Sequence, residues 1–247
     1  MPNENHDQQY ISAIRQSASS GMTEFQSWFN ASDDLNQSIV SGYWDMAFHV
    51  LTPGVRKYID QPDKCTALEI GYGGGRILNA ACSFFGQVYG VDIHQEQVLV
   101  ENFLRKQNHS NFTLLNLEDG TIKVPAESID LVYSFIVLQH LEHFENFVAY
   151  LEETKRLLRP GGVAQLYIGS FRRLPIRSQA RHFSTGYKEF PKASVNQTSL
   201  LIRSGKGAST ARALGFKVVD TGHSYKNMPD GFPNNRGGQD HITLLKP

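Results

Sequence analysis

The sequence predicts an α/β fold built on a doubly wound, mostly parallel sheet. Three observations carry this. Between residues 67 and 168, short apolar stretches of strand length alternate with longer stretches of helical period. Residues 129–135 are apolar along most of their length, as a strand covered on both faces should be. The first apolar stretch ends in Gly71-Tyr72-Gly73-Gly74-Gly75, the place where a strand of such a sheet turns into a helix.

The elements follow in order. Residues 1–20 are polar, lack an apolar signal core and are read as a partly mobile start. Thr23-Glu24-Phe25-Gln26 fits a capping box, with apolar Phe25, Trp28 and Phe29 following. Ile39, Tyr43, Met46, Ala47 and Val50 recur at helical spacing before Thr52-Pro53-Gly54. Strands are expected at 67–70, 87–93, 112–115, 129–135 and 163–168. The clearest helix covers 142–158, where Phe144, Phe147, Val148, Leu151, Leu157 and Leu158 form a stripe that Pro160-Gly161-Gly162 stops. Residues 209–214 read as helix, and 216–221 and 241–245 as two closing strands. Residues 170–208 carry no regular period and read as an insertion after the fifth strand.

Composition bounds the function. Of 247 residues, 40% are hydrophobic and 19% charged, which implies a packed core. The formal net charge is zero, so no global positive field gathers a polyanion; this argues against nucleic acid as the partner, a local patch aside. No apolar run approaches the ~20 residues of a membrane span. Cys65 and Cys82 fit neither a metal-ligand spacing nor a disulfide framework. The expected location is the cytoplasm, and no oligomeric state is specified.

The glycine turn lets backbone approach a ligand closely. A dinucleotide site wants G-x-G-x-x-G, but the position of its last glycine holds Arg76. Glu69, before the first glycine, is poorly matched to a pyrophosphate and suits an ammonium group. Asp92, ending the second strand, can accept both hydroxyls of a ribose; the same carboxylate also suits a helix N-cap before residues 95–97.

Residues 69–75 resemble motif I of the class I S-adenosylmethionine-dependent methyltransferases. Val91-Asp92-Ile93 is similar to that family's ribose-binding segment, 128–140 to its fourth strand and following loop, and the helix closing on Arg159-Pro160-Gly161-Gly162 to its later landmark. The stations keep the family's order across residues 65–170. The resemblance implies a Rossmann-like, seven-stranded sheet with its last strand antiparallel, a helical cap over 1–60 and a cofactor-binding domain over 61–247. It implies S-adenosylmethionine as cofactor, S-adenosylhomocysteine as product, and a cofactor site drawn from Glu69, Gly71, Tyr72, Gly73, Arg76, Asp92, Ile93, Leu117, Glu118, Ser134 and Phe135. Residues 116–120 would flank the adenine, although an ordinary polar turn explains Asp119-Gly120 equally.

Methyl transfer from a sulfonium needs alignment and removal of a proton rather than an obligatory nucleophile. His140 is the best-placed base, or else packs at the helix start; His143, His182, Tyr43 and His49 are weaker candidates. The fourth strand ends in Ser134-Phe135, without the N-P-P-Y type of motif of amino-methylating enzymes, so oxygen is the expected target. No acidic residue stands at the end of that strand to start a magnesium site, and no metal is expected. The insertion holds Arg172, Arg173, Arg177, Arg181, Lys188 and Lys192 among aromatic residues. It reads as a lid for an anionic small-molecule acceptor, as an RNA grip, or as a solvated loop. Tyr43 and Trp44 would close the acceptor pocket from the other side. A nicotinamide-dependent oxidoreductase and a non-catalytic S-adenosylmethionine-binding protein are the competing readings.

Overall fold

The computed structural model describes residues 6–30, 34–117, 120–224 and 238–247. The chain divides into two compact units, residues 1–47 with 61–123 and residues 48–60 with 124–247.

In the first unit, α1 (His6–Ser19), α2 (Met22–Asn30) and α3 (Leu35–Asp45) precede the strands. Residues 6–19 are helical, within the stretch 1–20 that was expected to be partly mobile. Tyr10 and Ile14, one turn apart, are buried, and the Tyr10 ring meets Trp28 edge-on at 6.3 Å; one such pair docks an otherwise polar helix. α2 begins before Thr23, whose place as cap is taken by the chain at Gly21: its carbonyl accepts the Phe25 N–H. Asp34 caps α3 by accepting the Asn36 N–H at 2.8 Å.

After α4 (Pro53–Arg56), which belongs to the second unit, come β1 (Thr66–Ile70), α5 (Arg76–Phe84), β2 (Gln87–Asp92), α6 (Gln97–Lys106) and β3 (Phe112–Asn116). The three strands are parallel in the order β3-β2-β1. Tyr72 explains a glycine in β2: a Cβ on Gly90 would stand 2.8 Å from the Tyr72 ring.

The second unit holds β4 (Ile129–Ser134), α7 (Phe144–Leu157), β5 (Leu158–Gly169), α8 (Ile176–Arg181), β6 (Tyr187–Glu189), β7 (Leu200–Ile202), α9 (Ser204–Ala213), β8 (Lys217–His223) and β9 (Gln239–Leu245). Its strand order is β4-β5-β9-β8; β4 and β5 run parallel, and β9 is antiparallel to both β5 and β8. The sheet is seven-stranded. It is mostly parallel, with the last strand in sequence reversed, as the Rossmann-like fold class requires.

Two expectations change here. Pro160-Gly161-Gly162 lies inside β5 rather than between helix and strand, because the Gly161 N–H bonds to the Lys246 carbonyl at 2.8 Å and Gly162 accepts the Lys246 N–H at 3.0 Å. The register against β4 shifts between Ile129 and Leu131, which absorbs the irregularity. The insertion is also ordered into elements. β6 and β7 pair as a two-stranded antiparallel sheet, and α9 begins at Ser204, within the stretch read as loop. Gly207 of α9 faces Ile168, Ile242 and Phe147, so a residue that looks like a helix breaker is the small surface the helix needs against β5 and β9.

Candidate active site

The first unit brings together the glycine turn, the end of β2 and the start of β3's loop. Gly71 donates its N–H to the Val91 carbonyl at 2.7 Å, which fixes the turn to β2. Gly73 takes φ 51° and Gly75 φ 82°, values that favour glycine. A Cβ on Gly73 would also lie 2.7 Å from the Phe29 ring. α5 therefore starts from a left-handed glycine with no side-chain cap, leaving its first N–H groups to a ligand or solvent.

Asp92 pins this turn. Its Oδ2 accepts the Gly73 N–H at 2.8 Å, and its Oδ1 accepts the Ile93 N–H at 2.8 Å and the His94 N–H at 3.4 Å. Two bonded oxygens of a carboxylate still leave lone pairs for ligand hydroxyls. The Leu117 N–H bonds to the Asp92 carbonyl at 2.8 Å, so Leu117 stands at the same strand ends. Glu118 lies outside the described residues.

Tyr72 is buried, and its hydroxyl finds no hydrogen-bond partner among the described residues. Burial, and then the Asp92 carboxylate, push its phenol well up, so it remains a protonated donor. Glu69 is buried at the end of β1. Its carboxylate adds to burial in pushing the Cys82 thiol up to about 12.

Arg76 and Tyr43 turn elsewhere. The buried Arg76 guanidinium pairs with Asp45 of α3. The Tyr43 hydroxyl is 2.7 Å from Ser83 Oγ, at the far end of α5 and about 12 Å along the helix from its glycine start. Trp44 is exposed.

The sequence reading missed the residues that line the turn. Gln26 Nε2 donates to the Gly74 carbonyl at 2.7 Å. His94 is fully buried, with Nε2 3.1 Å from the Gly73 carbonyl oxygen. Its Nδ1 accepts the Glu96 N–H at 3.1 Å, so the network puts the proton on Nε2, which donates to Gly73. Rings of Phe25, Phe29 and Tyr72 surround it at 6.0, 5.8 and 5.1 Å. Only its place two residues after Asp92 could have drawn attention to it.

In the second unit, Ser134 is buried at the end of β4. The Phe135 ring stacks on His49 at 4.7 Å and meets Tyr167 edge-on at 4.8 Å; Tyr167 donates its hydroxyl to the His49 carbonyl at 3.0 Å. Ile136 then takes φ 62°. A β-branched residue there is strained by about 1–3 kcal/mol, a device found where a turn is held for a purpose.

His140 Nδ1 lies 2.8 Å from the Gln197 carbonyl oxygen and Nε2 3.1 Å from the Gln139 amide nitrogen. The carbonyl only accepts, so Nδ1 carries the proton and the Nε2 lone pair receives the amide. The other histidine candidates differ: His143 is engaged by Glu189, and His182 stands at the end of α8. Arg172 and Arg173 are exposed, the latter donating to Thr198 Oγ1 at 2.9 Å. Among the described residues no group of three or more His, Cys, Asp or Glu could hold a metal ion, and no helix is long and apolar enough to cross a membrane.

Comparison with known proteins adds the cofactor. Residues 68–166 match the model of the methyltransferase domain family. The chain is 28% identical over 130 residues to the tRNA (carboxymethyluridine(34)-5-O)-methyltransferase ALKBH8 of Macaca fascicularis, covering 52% of this chain but only 18% of that protein. Among solved structures it resembles a SAM-dependent methyltransferase from Aquifex aeolicus, with TM-score 0.55, 15% identity, and 87% and 99% of the two chains covered. It also resembles the N-methyltransferase NodS from Bradyrhizobium japonicum, solved with S-adenosylhomocysteine, with TM-score 0.59, 11% identity, and 97% and 99% covered. At these identities the structural likenesses speak for the fold. The family match spans the glycine turn, Asp92 and β4 through most of β5 in one run, so residues 68–166 form a methyltransferase domain, on a fold shared with S-adenosylmethionine-dependent methyltransferases.

Proposed function

We propose that this enzyme methylates an oxygen of a small acceptor that also carries an anionic group. Residues 1–60 act as a helical cap on a catalytic domain at 61–247, with 170–208 as its lid.

The observation that carries the cofactor half is the Asp92 clamp. Its carboxylate holds the Gly73 and Ile93 N–H groups and keeps lone pairs for the two ribose hydroxyls. Gly71 and Gly73 let the backbone approach, the first N–H groups of α5 and the Tyr72 hydroxyl offer donors, and Leu117 flanks the adenine. Glu69 suits the ammonium by its charge. S-adenosylmethionine supplies a methyl group already activated by its sulfonium charge. The chain has only to align the acceptor and accept its proton as the new C–O bond replaces the C–S bond. His140 serves as base if its Nε2 exchanges Gln139 for the acceptor hydroxyl.

Arg172, Arg177 and Arg181 are exposed and make no ion pair among the described residues, which favours an anionic acceptor. The relative's printed activity on a tRNA uridine supports a second reading, a nucleotide carried in RNA.

The test has two arms. Calorimetry should register S-adenosylhomocysteine and not NAD; NAD binding alone would remove the cofactor site. Tritium transfer from labelled S-adenosylmethionine to hydroxyl, amine and RNA panels, read by product analysis, should give O-methyl products. Label found only in amines or RNA would overturn the acceptor reading.

A further inference from the structure

One face of the second unit's sheet is polar although it is buried. Gln165 and Tyr167 of β5 pair with Thr243 and His241 of β9, and Asp220 of β8 pairs with Thr243 from the other side. The residues between them, Leu166, Ile168, Ile242 and Leu244, point the other way and are buried apolar side chains.

This polar row is engaged internally, apart from the buried Gln165 amide nitrogen, which has no partner among the described residues. Thr243 donates to Gln165 Oε1 at 2.6 Å, His241 Nε2 lies 3.5 Å from Asp220 Oδ2, and Tyr167 bonds to His49. The row ends differently. Gln239, opposite Gly169 on the same face, is 3% exposed, and neither its amide oxygen nor its amide nitrogen has a partner. Ser224 follows the last β8–β9 pair, His223 with Asp240, and is fully buried with an unpartnered hydroxyl.

These groups cluster at the carboxyl ends of β5 and β8, the end at which open α/β sheets bind ligands. Buried polar atoms are nearly always paired, and leaving them unpaired costs stability. A cluster of them at a ligand-binding end therefore calls for a bound group.

We propose that Gln239 and Ser224 form a subsite for vicinal hydroxyls, so that the acceptor is a polyol or sugar bearing an anionic group. This rests on the oxygen-methylation reading above. The chemistry of the groups selects the class. Both side chains are uncharged, and each both donates and accepts. A carboxylate or phosphate alone would leave Gln239 Oε1 facing another acceptor. An ammonium would leave the amide N–H groups facing another donor. Neighbouring hydroxyls satisfy both kinds of atom, and an amide spans two of them.

The experiment uses the full chain with S-adenosylhomocysteine, with glucose 1-phosphate and butyl phosphate as probes, and the isosteric variant Gln239→Met beside Ser224→Ala. Saturation-transfer NMR should show the sugar phosphate binding to the wild type at least tenfold more tightly than butyl phosphate. Gln239→Met should lose at least tenfold in sugar-phosphate affinity while binding S-adenosylhomocysteine as before. Without any acceptor, its Tm should rise by about 2–4 °C, because an unpaired buried amide has been removed. A lower Tm, equal binding of both probes, or unchanged sugar-phosphate affinity in both variants would overturn the proposal. Methyl transfer confined to amines, with the hydroxyl preference and the Tm rise intact, would sink the oxygen reading and leave the subsite standing.

Discussion

Replacing Asp92 by asparagine separates two roles of one carboxylate. The change is isosteric, so cavity effects drop out. The wild-type Oδ1 accepts two backbone N–H groups, from Ile93 and His94, whereas Oδ2 accepts one, from Gly73. An asparagine has a single oxygen, and the two-donor side claims it. Its NH2 then faces the Gly73 N–H, donor against donor, at a site where the carboxylate is nearly buried. Loss of a charge-assisted bond and exposure of an unpaired donor should cost about 2–3 kcal/mol of stability. For a chain of this size that lowers Tm by about 5–10 °C.

The cofactor should suffer separately. One ribose hydroxyl loses its acceptor, and the glycine turn loses its pin. A penalty of about 1–3 kcal/mol means roughly 5- to 150-fold weaker binding of S-adenosylhomocysteine. Calorimetry gives the affinity and thermal unfolding without ligand gives the stability. A drop in Tm with affinity unchanged within twofold would make Asp92 a purely structural clamp. No change in either would refute the geometry on which the clamp rests.

Two further outcomes follow from buried charge and burial. Asp45→Ala should destabilise by about 3–5 kcal/mol, because it strands the buried Arg76 cation, while Asp45→Leu with Arg76→Met should recover most of that loss in urea unfolding; a double variant that costs the sum of its two singles would mean the pair is not coupled. Cys82, whose thiol is held up at about 12, should resist a thiol reagent at pH 8 that labels half-exposed Cys65, so that one thiol reacts in the native protein and both in denaturant; two native equivalents would contradict the burial.

The parts of the fold that were legible in the sequence are those where one residue type has a single structural use. Three alternating glycines after an apolar strand fix a close turn, and a carboxylate ending the next strand has few other reasons to be there. α7 was legible because its stripe repeats over several turns. The insertion was not, since β6 and β7 are three residues each and too short to display a period. α9 was obscured by Gly205 and Gly207, the second of which serves packing against β5 and β9 by its smallness rather than flexibility. The start of β5 was hidden because Pro160 and two glycines read as punctuation, while their backbone bonds run to the far end of the chain at Lys246. His94 and Asp45 belong to contacts between residues far apart in sequence, which no local pattern carries.

Arg76 shows how a departure from one motif is absorbed by another part of the chain. A dinucleotide fold places glycine at this position to let the helix pack closely. Here the close approach comes from the other side: a Cβ on Gly42 of α3 would overlap the Arg76 carbonyl oxygen. The side chain that glycine would lack is turned onto Asp45, one turn from Gly42 on the same helix. α2 contributes likewise, with Gln26 bonded to Gly74 and Phe29 filling the space above Gly73. The glycine turn is therefore shaped by the helices that precede it as much as by its own residues. Cofactor affinity should respond to positions 26, 29, 42 and 45, none of which belongs to the motif that names the site.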